Sequence, residues 1–150
     1  MATRSTIAVE FPSGRIRQTY CHWDGYLDHN GKILLEHYSD VKKARQLVHL
    51  GQISSLRKEI GEKHDFDARY DNTDPRKQWT TFYGRDRGEE GQKYYNYKSF
   101  EDYVAKHQYE EYEYILRNTG EWQVSCGGNY QSLADAIAAE MLDNEMAADE

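Results

Sequence analysis

The sequence predicts an α+β domain: a small antiparallel or mixed sheet with helices packed mainly on one face. Three observations predict it. Alternating apolar and polar residues mark two hairpins, one near each end of the chain. Apolar stripes at helical spacing mark the segments between and after them. Hairpins and helices come in blocks rather than as a repeating strand–helix pair, which favours helices laid over a sheet. The alternation in the strands further predicts a sheet with one wet side.

The opening hairpin joins residues 5–11, where Ile7, Val9 and Phe11 share a side, to residues 16–22. Pro12, Ser13 and Gly14 form its turn, and Trp23, Asp24 and Gly25 end it, with Gly25 expected to take the positive φ. In residues 16–22, Ile16, Gln18, Tyr20 and His22 face opposite Arg17, Thr19 and Cys21. Residues 31–38 read as a short helix. A longer one follows, capped by Ser39, striped by Val41, Ala44, Leu47 and Val48, and stopped at Gly51. Ile53, Leu56 and Ile60 read as a further helical turn or two.

Residues 61–98 form a loop-rich segment in which only Trp79 to Tyr83 resembles a strand. So long a connection without structure is unusual in a compact domain. Its stretch Gly84 to Gly91 has no apolar residue and is expected to be exposed. Ser99 caps the next helix, with Asp102 as its third residue and Phe100, Tyr103 and Val104 facing inward. The second hairpin joins residues 112–117 to 121–126 across Asn118, Thr119 and Gly120, with Trp122, Val124 and Cys126 on one face. Ser132 caps a final helix with Leu133, Ala134, Ile137, Ala138 and Met141 on its buried side. Residues 143–150 are read as a frayed acidic tail.

One domain suits 150 residues. Two cysteines are too few for a disulfide framework and fit buried thiols in a reducing compartment. No apolar run is long enough to span a membrane, and no apolar signal segment opens the chain. The formal charge of -7 is distributed unevenly: residues 1–100 carry 17 Lys and Arg against 14 Asp and Glu, while residues 101–150 carry 2 against 12. This balance disfavours direct nucleic-acid binding.

Four sets of residues bear on function. His22 and Asp24 could share a side of the first hairpin as a carboxylate-supported general base, with Cys21, His29, His37 and Cys126 as further reactive groups. A metal site would need His22, Asp24, His29 and Cys126 to converge, and the chain has no CxxC or HxxxH; no cofactor or metal is expected. The HDFD stretch, residues 64–67, lacks the spacing of a calcium loop. Arg85 and Arg87, with Tyr83 and Tyr95, could clamp and stack a nucleotide-type ligand, although no P-loop or dinucleotide spacing is present. Glu110, Glu111, Glu113 and Glu121 could steer a basic partner, with Tyr112 or Tyr114 as a buried anchor. Further carboxylates follow to Glu150, and if aligned they could imitate a DNA backbone. The 13 tyrosines serve either a half-wet core or a contact surface, and an exposed tyrosine face would permit a homodimer.

The segments TRSTI (3–7), YCHWDGY (20–26), GKILLEHY (31–38), LGQISSL (50–56) and YGRDRGE (83–89) resemble, taken together, a family of small, functionally uncharacterised proteins encoded by tailed bacteriophages. The resemblance covers residues 3 to about 90. It implies an accessory protein in the cytoplasm of an infected bacterium that binds and modulates a host protein. It carries no catalytic residues with it.

Overall fold

The computed structural model describes residues 2–107 and 109–148. Among these, eight strands form one mixed sheet in the order β4-β3-β2-β1-β6-β7-β8, with β5 paired to β2 off that path. β1 (Ser5–Glu10) and β2 (Ile16–Cys21) make the expected first hairpin. The expected second is β6 (Tyr112–Leu116) with β7 (Trp122–Ser125). β1 lies parallel to β6 and joins the two hairpins at the centre of the sheet. β3 (Ile53–Ser55), β4 (Thr81–Phe82), β5 (Tyr95–Tyr97) and β8 (Tyr130–Ser132) extend it.

The strand β3 departs from the expectation of a helical continuation. Ile53, Leu56 and Ile60 are all buried, but their chain runs extended, parallel to the end of β2. Apolar spacing by itself does not separate these two outcomes in so short a segment, and here pairing with β2 decides.

Four helices cover the sheet among the described residues. A π-helical turn, Leu27–Gly31, leads into α1 (Lys32–His37), and α2 (Val41–His49) follows. The cap of α2 is Asp40, whose carboxylate accepts from the Lys42 N–H at 2.9 Å. Ser39 instead donates to the Leu35 carbonyl at 2.7 Å. Gly51 ends the helix at φ +107, as its position suggests. α3 (Phe100–Lys106) is capped by Ser99, which accepts from the Asp102 N–H at 3.1 Å. α4 (Leu133–Ala148) is capped by Ser132 and continues through residues read as a frayed tail. Asp149 and Glu150 lie outside the described residues.

Strand alternation sends side chains to two cores. Ile7, Val9, Cys21, Tyr114, Leu116, Trp122 and Val124 meet residues of α1, α2 and α4 on the larger face. Ala8, Ile16, Tyr97, Tyr103 and Ile115 form a smaller core under α3 on the other. The sheet therefore has no wholly wet side. Val104, Ala134, Ala138, Met141 and Cys126 are exposed rather than inward-facing. No helix among the described residues is long and apolar enough to cross a membrane.

Candidate functional site

The loop-rich segment 61–98 is built around one ion pair. Asp86 is buried and accepts the Phe82 N–H at 2.8 Å and the His64 N–H at 3.2 Å. Arg85 donates to Asp86 at 3.0 Å, to the carbonyls of Ile60 and Thr80 at 2.9 Å each, and to Gly61 at 3.1 Å. Its guanidinium lies over Phe82 at 4.6 Å. These contacts satisfy backbone groups that neither helix nor sheet engages, which is how the segment holds its course without regular structure. Arg85 is thus not an open phosphate clamp. Arg87 is sandwiched between Phe66 (5.1 Å) and Tyr83 (4.9 Å) and paired with Glu89 at 2.6 Å. Tyr95 stands on β5, among the residues lining a small recess with Tyr94. Tyr83 and Arg85 line one groove, and Arg87 packs on Tyr83, but neither Arg87 nor Tyr95 belongs to that lining.

Two grooves flank the segment. One, of about 790 Å³, includes Tyr83, Arg85, Glu89, Glu90 and Lys93 in its lining, so its charges are mixed. The other, of about 400 Å³, lies between residues 57 and 81 and is lined by Arg, Lys, His and aromatic side chains with no carboxylate among them. That second groove leaves little trace in the sequence. The only signal available was the density of Trp, Tyr, Arg and Lys in residues 66–79, and interspersed aspartates hid it.

His22 and Asp24 do not form a dyad. The His22 ring is hydrogen-bonded to the Tyr20 hydroxyl at 2.7 Å and packs edge-on against Trp23, and no ion pair among the described residues joins it to Asp24. Asp24 adopts the left-handed conformation at φ 58, the role expected of Gly25. Gly25 is needed for another reason: a Cβ there would lie 2.8 Å from both Ser5 Cβ and the Thr3 carbonyl. This turn anchors the sheet. The Gly25 N–H donates to Thr3 at 2.8 Å, and its carbonyl accepts from Tyr114 Oη at 2.7 Å. Buried Asn30 ties Ser5, Cys21 and Trp23 together at 3.2–3.3 Å. Burial pushes the Cys21 thiol up to about 11, so it is not a nucleophile at neutral pH. His29 bonds its neighbour Asn30, and His37 stands 3.9 Å from Glu36. No group of three or more metal-ligating side chains converges among the described residues.

The acidic end divides into buried and exposed parts. Glu113 points to the α3 face and is 3% exposed, with His107 Nε2 at 2.5 Å and the Tyr130 hydroxyl at 3.3 Å. His107 Nδ1 faces the Tyr103 carbonyl at 2.5 Å and therefore carries a proton there. Desolvation raises the Glu113 carboxyl above its ordinary value, against the opposing pull of His107. Tyr114 is fully buried in the larger core. Glu113 is not a steering charge, and Tyr114 is not a surface anchor.

Glu110, Glu111 and Glu121 remain outside the core. Tyr112 is half-buried and stacks at 8° on Tyr114. Burial, then Cys126, Glu140 of α4 and Glu111 just before β6, push its phenol above the ordinary value. α4 carries Asp135, Glu140, Asp143 and Glu145 without a single Lys or Arg. None of these seven surface carboxylates makes an ion pair among the described residues. Between them stand Met141, Leu142 and Met146, 50–61% exposed.

Comparison with protein-family models, with curated proteins and with solved structures gave no match.

Proposed function

We propose that this chain is a non-enzymatic binding protein that engages a basic protein surface through the face made by β6 and α4. The observation that supports it is the set of surface carboxylates without an ion-pair partner among the described residues, two of which, Glu111 and Glu140, act on half-buried Tyr112, with exposed Met141, Leu142 and Met146 on α4 beside Glu140. Uncompensated negative charge speeds encounter with a positive partner, and apolar side chains among the charges supply the area that holds it. A helix presenting Leu142 and Met146 one turn apart suits a groove on that partner. With the bacteriophage resemblance, the partner is a bacterial host protein and the setting the cytoplasm of the infected cell.

The test is capture of host proteins on the tagged chain at low and moderate salt, repeated with a Glu111→Lys/Glu140→Lys variant. A stoichiometric partner is expected whose association slows as salt rises and slows further in the variant. Equal association rates and equal salt dependence for the two proteins would remove the acidic face from the reading.

A further inference from the structure

The groove between residues 57 and 81 has a chemistry opposite to that of the chain as a whole. The protein carries -7, yet this groove of about 400 Å³ is lined by four Arg and Lys side chains, one His and three aromatic rings, and by no Asp or Glu. Only one of its cations is neutralised nearby: Arg76 forks onto Asp74 at 2.6–3.3 Å. Lys77 meets the Asn72 side-chain oxygen, which carries no charge. The guanidinium groups of Arg57 and Arg69 have no ion-pair or hydrogen-bond partner among the described residues. Uncompensated cations gathered in a concave site are a standing invitation to an anion.

The aromatic part is held rigid. Gly61, at φ +63, lies so close to the Trp79 ring that a Cβ would stand 2.2 Å from it, so one side of the indole is sealed. An isolated parallel bridge between Glu59 and Trp79 fixes the backbone beneath, with the Glu59 N–H donating to Gln78 at 3.0 Å and the Thr80 N–H to Glu59 at 2.8 Å. His64 packs edge-on against the indole at 5.6 Å. Its Nδ1 is occupied by the Glu62 carbonyl at 2.8 Å and Asp86 at 3.4 Å, and its side chain is almost wholly buried, so it buttresses the indole. Tyr70 adds a second ring, itself under Arg76 at 4.5 Å. Preset rings cost little entropy on binding a flat partner.

We propose that this groove binds a nucleoside monophosphate, with Arg57 and Arg69 on the phosphate and Trp79 and Tyr70 against the base. The volume lies within the range of small-ligand sites. Planar guanidinium forks match phosphate oxygens, and base–aromatic stacking supplies the remainder without requiring a particular base. This site shares no residue with the acidic face and does not depend on it.

Calorimetric titration of the whole protein tests the assignment, using the nucleoside 5′-monophosphates, the matching nucleosides, inorganic phosphate and a short single-stranded oligonucleotide. The expected result is one-to-one binding of at least one monophosphate. Its nucleoside and inorganic phosphate should each bind about tenfold or more weakly. Arg57→Gln/Arg69→Gln should weaken the monophosphate by about a hundredfold, since each lost guanidinium removes a charge-assisted contact. Its melting temperature is measured in parallel, and if that variant does not fold the single substitutions serve. Glu111→Lys/Glu140→Lys should bind the monophosphate as the parent does, which separates this site from the partner face. Absence of binding across the panel, binding unchanged in the glutamine variants, or a preference for the oligonucleotide over every monophosphate would each overturn the proposal.

Discussion

Replacing Glu113 by alanine should cost about 3 kcal/mol of stability, at the lower end of what breaking one side of a buried ion pair costs. The figure follows from the surroundings. Glu113 is 3% exposed and accepts from His107 at 2.5 Å and from Tyr130 at 3.3 Å. Its loss strands the His107 Nε2 in a pocket closed by the stacked Tyr103 ring at 4.3 Å and by Tyr109 at 4.3 Å. Glu113→Gln should cost only about 1 kcal/mol, because its amide fills the same space and still offers His107 Nε2 a hydrogen-bond partner. Urea unfolding measures both, and in thermal melts the alanine variant should lose about 6–12 °C. The pH dependence has a definite sign. Burial raises the folded-state value of this carboxyl above the ordinary 4.5, so its contribution is largest below 4.5 and falls as pH rises through the folded-state value. The advantage of the parent over Glu113→Gln should therefore narrow as pH rises through that window. An alanine penalty below about 1 kcal/mol would refute the reasoning, since that is what a solvated surface carboxylate costs. Glu113 would then return to the partner-binding face.

Two further outcomes follow from the packing. Arg85→Ala should release the segment it fastens, because the carbonyls of Ile60, Gly61 and Thr80 lose their donor and buried Asp86 loses its cation. Limited proteolysis should then cut within residues 62–78 at least about tenfold faster than in the parent, and an unchanged digestion pattern would count against the anchoring role. Cys21 is fully buried with its thiol pushed up to about 11, while Cys126 is exposed. A thiol reagent applied to the native protein should label Cys126 alone, with Cys21 reacting only on unfolding. Rapid labelling of two thiols in the folded state would contradict the core placement of Cys21.

What the sequence determined by itself was local in origin. Alternation located both hairpins, since a strand with one face in a core must repeat every second residue. Ser99 and Ser132 announced their helices because an N-cap is a contact between residues three apart. The caps also marked the limit of such reading: Ser39 and Asp40 are equivalent by residue type, and only the backbone at the helix start chose the aspartate.

Tertiary structure decided whatever depended on distant partners. Ile53–Ser55 became a strand because β2 offered it an edge. Glu113 alternates with Tyr112 and Tyr114, and so reads as the wet side of a hairpin. It is buried because α3 and His107 close over that face. Arg85 looked like a clamp for an outside anion, yet it found its acceptors in carbonyls 5 to 25 residues away along the chain. The same physics explains the groove of Arg57, Arg69 and Trp79. Its residues lie within one stretch, 57–81, but aspartates interspersed among them cancel the charge in any local count, and only folding turns Arg57, Arg69 and Trp79 into a common lining that contains no carboxylate.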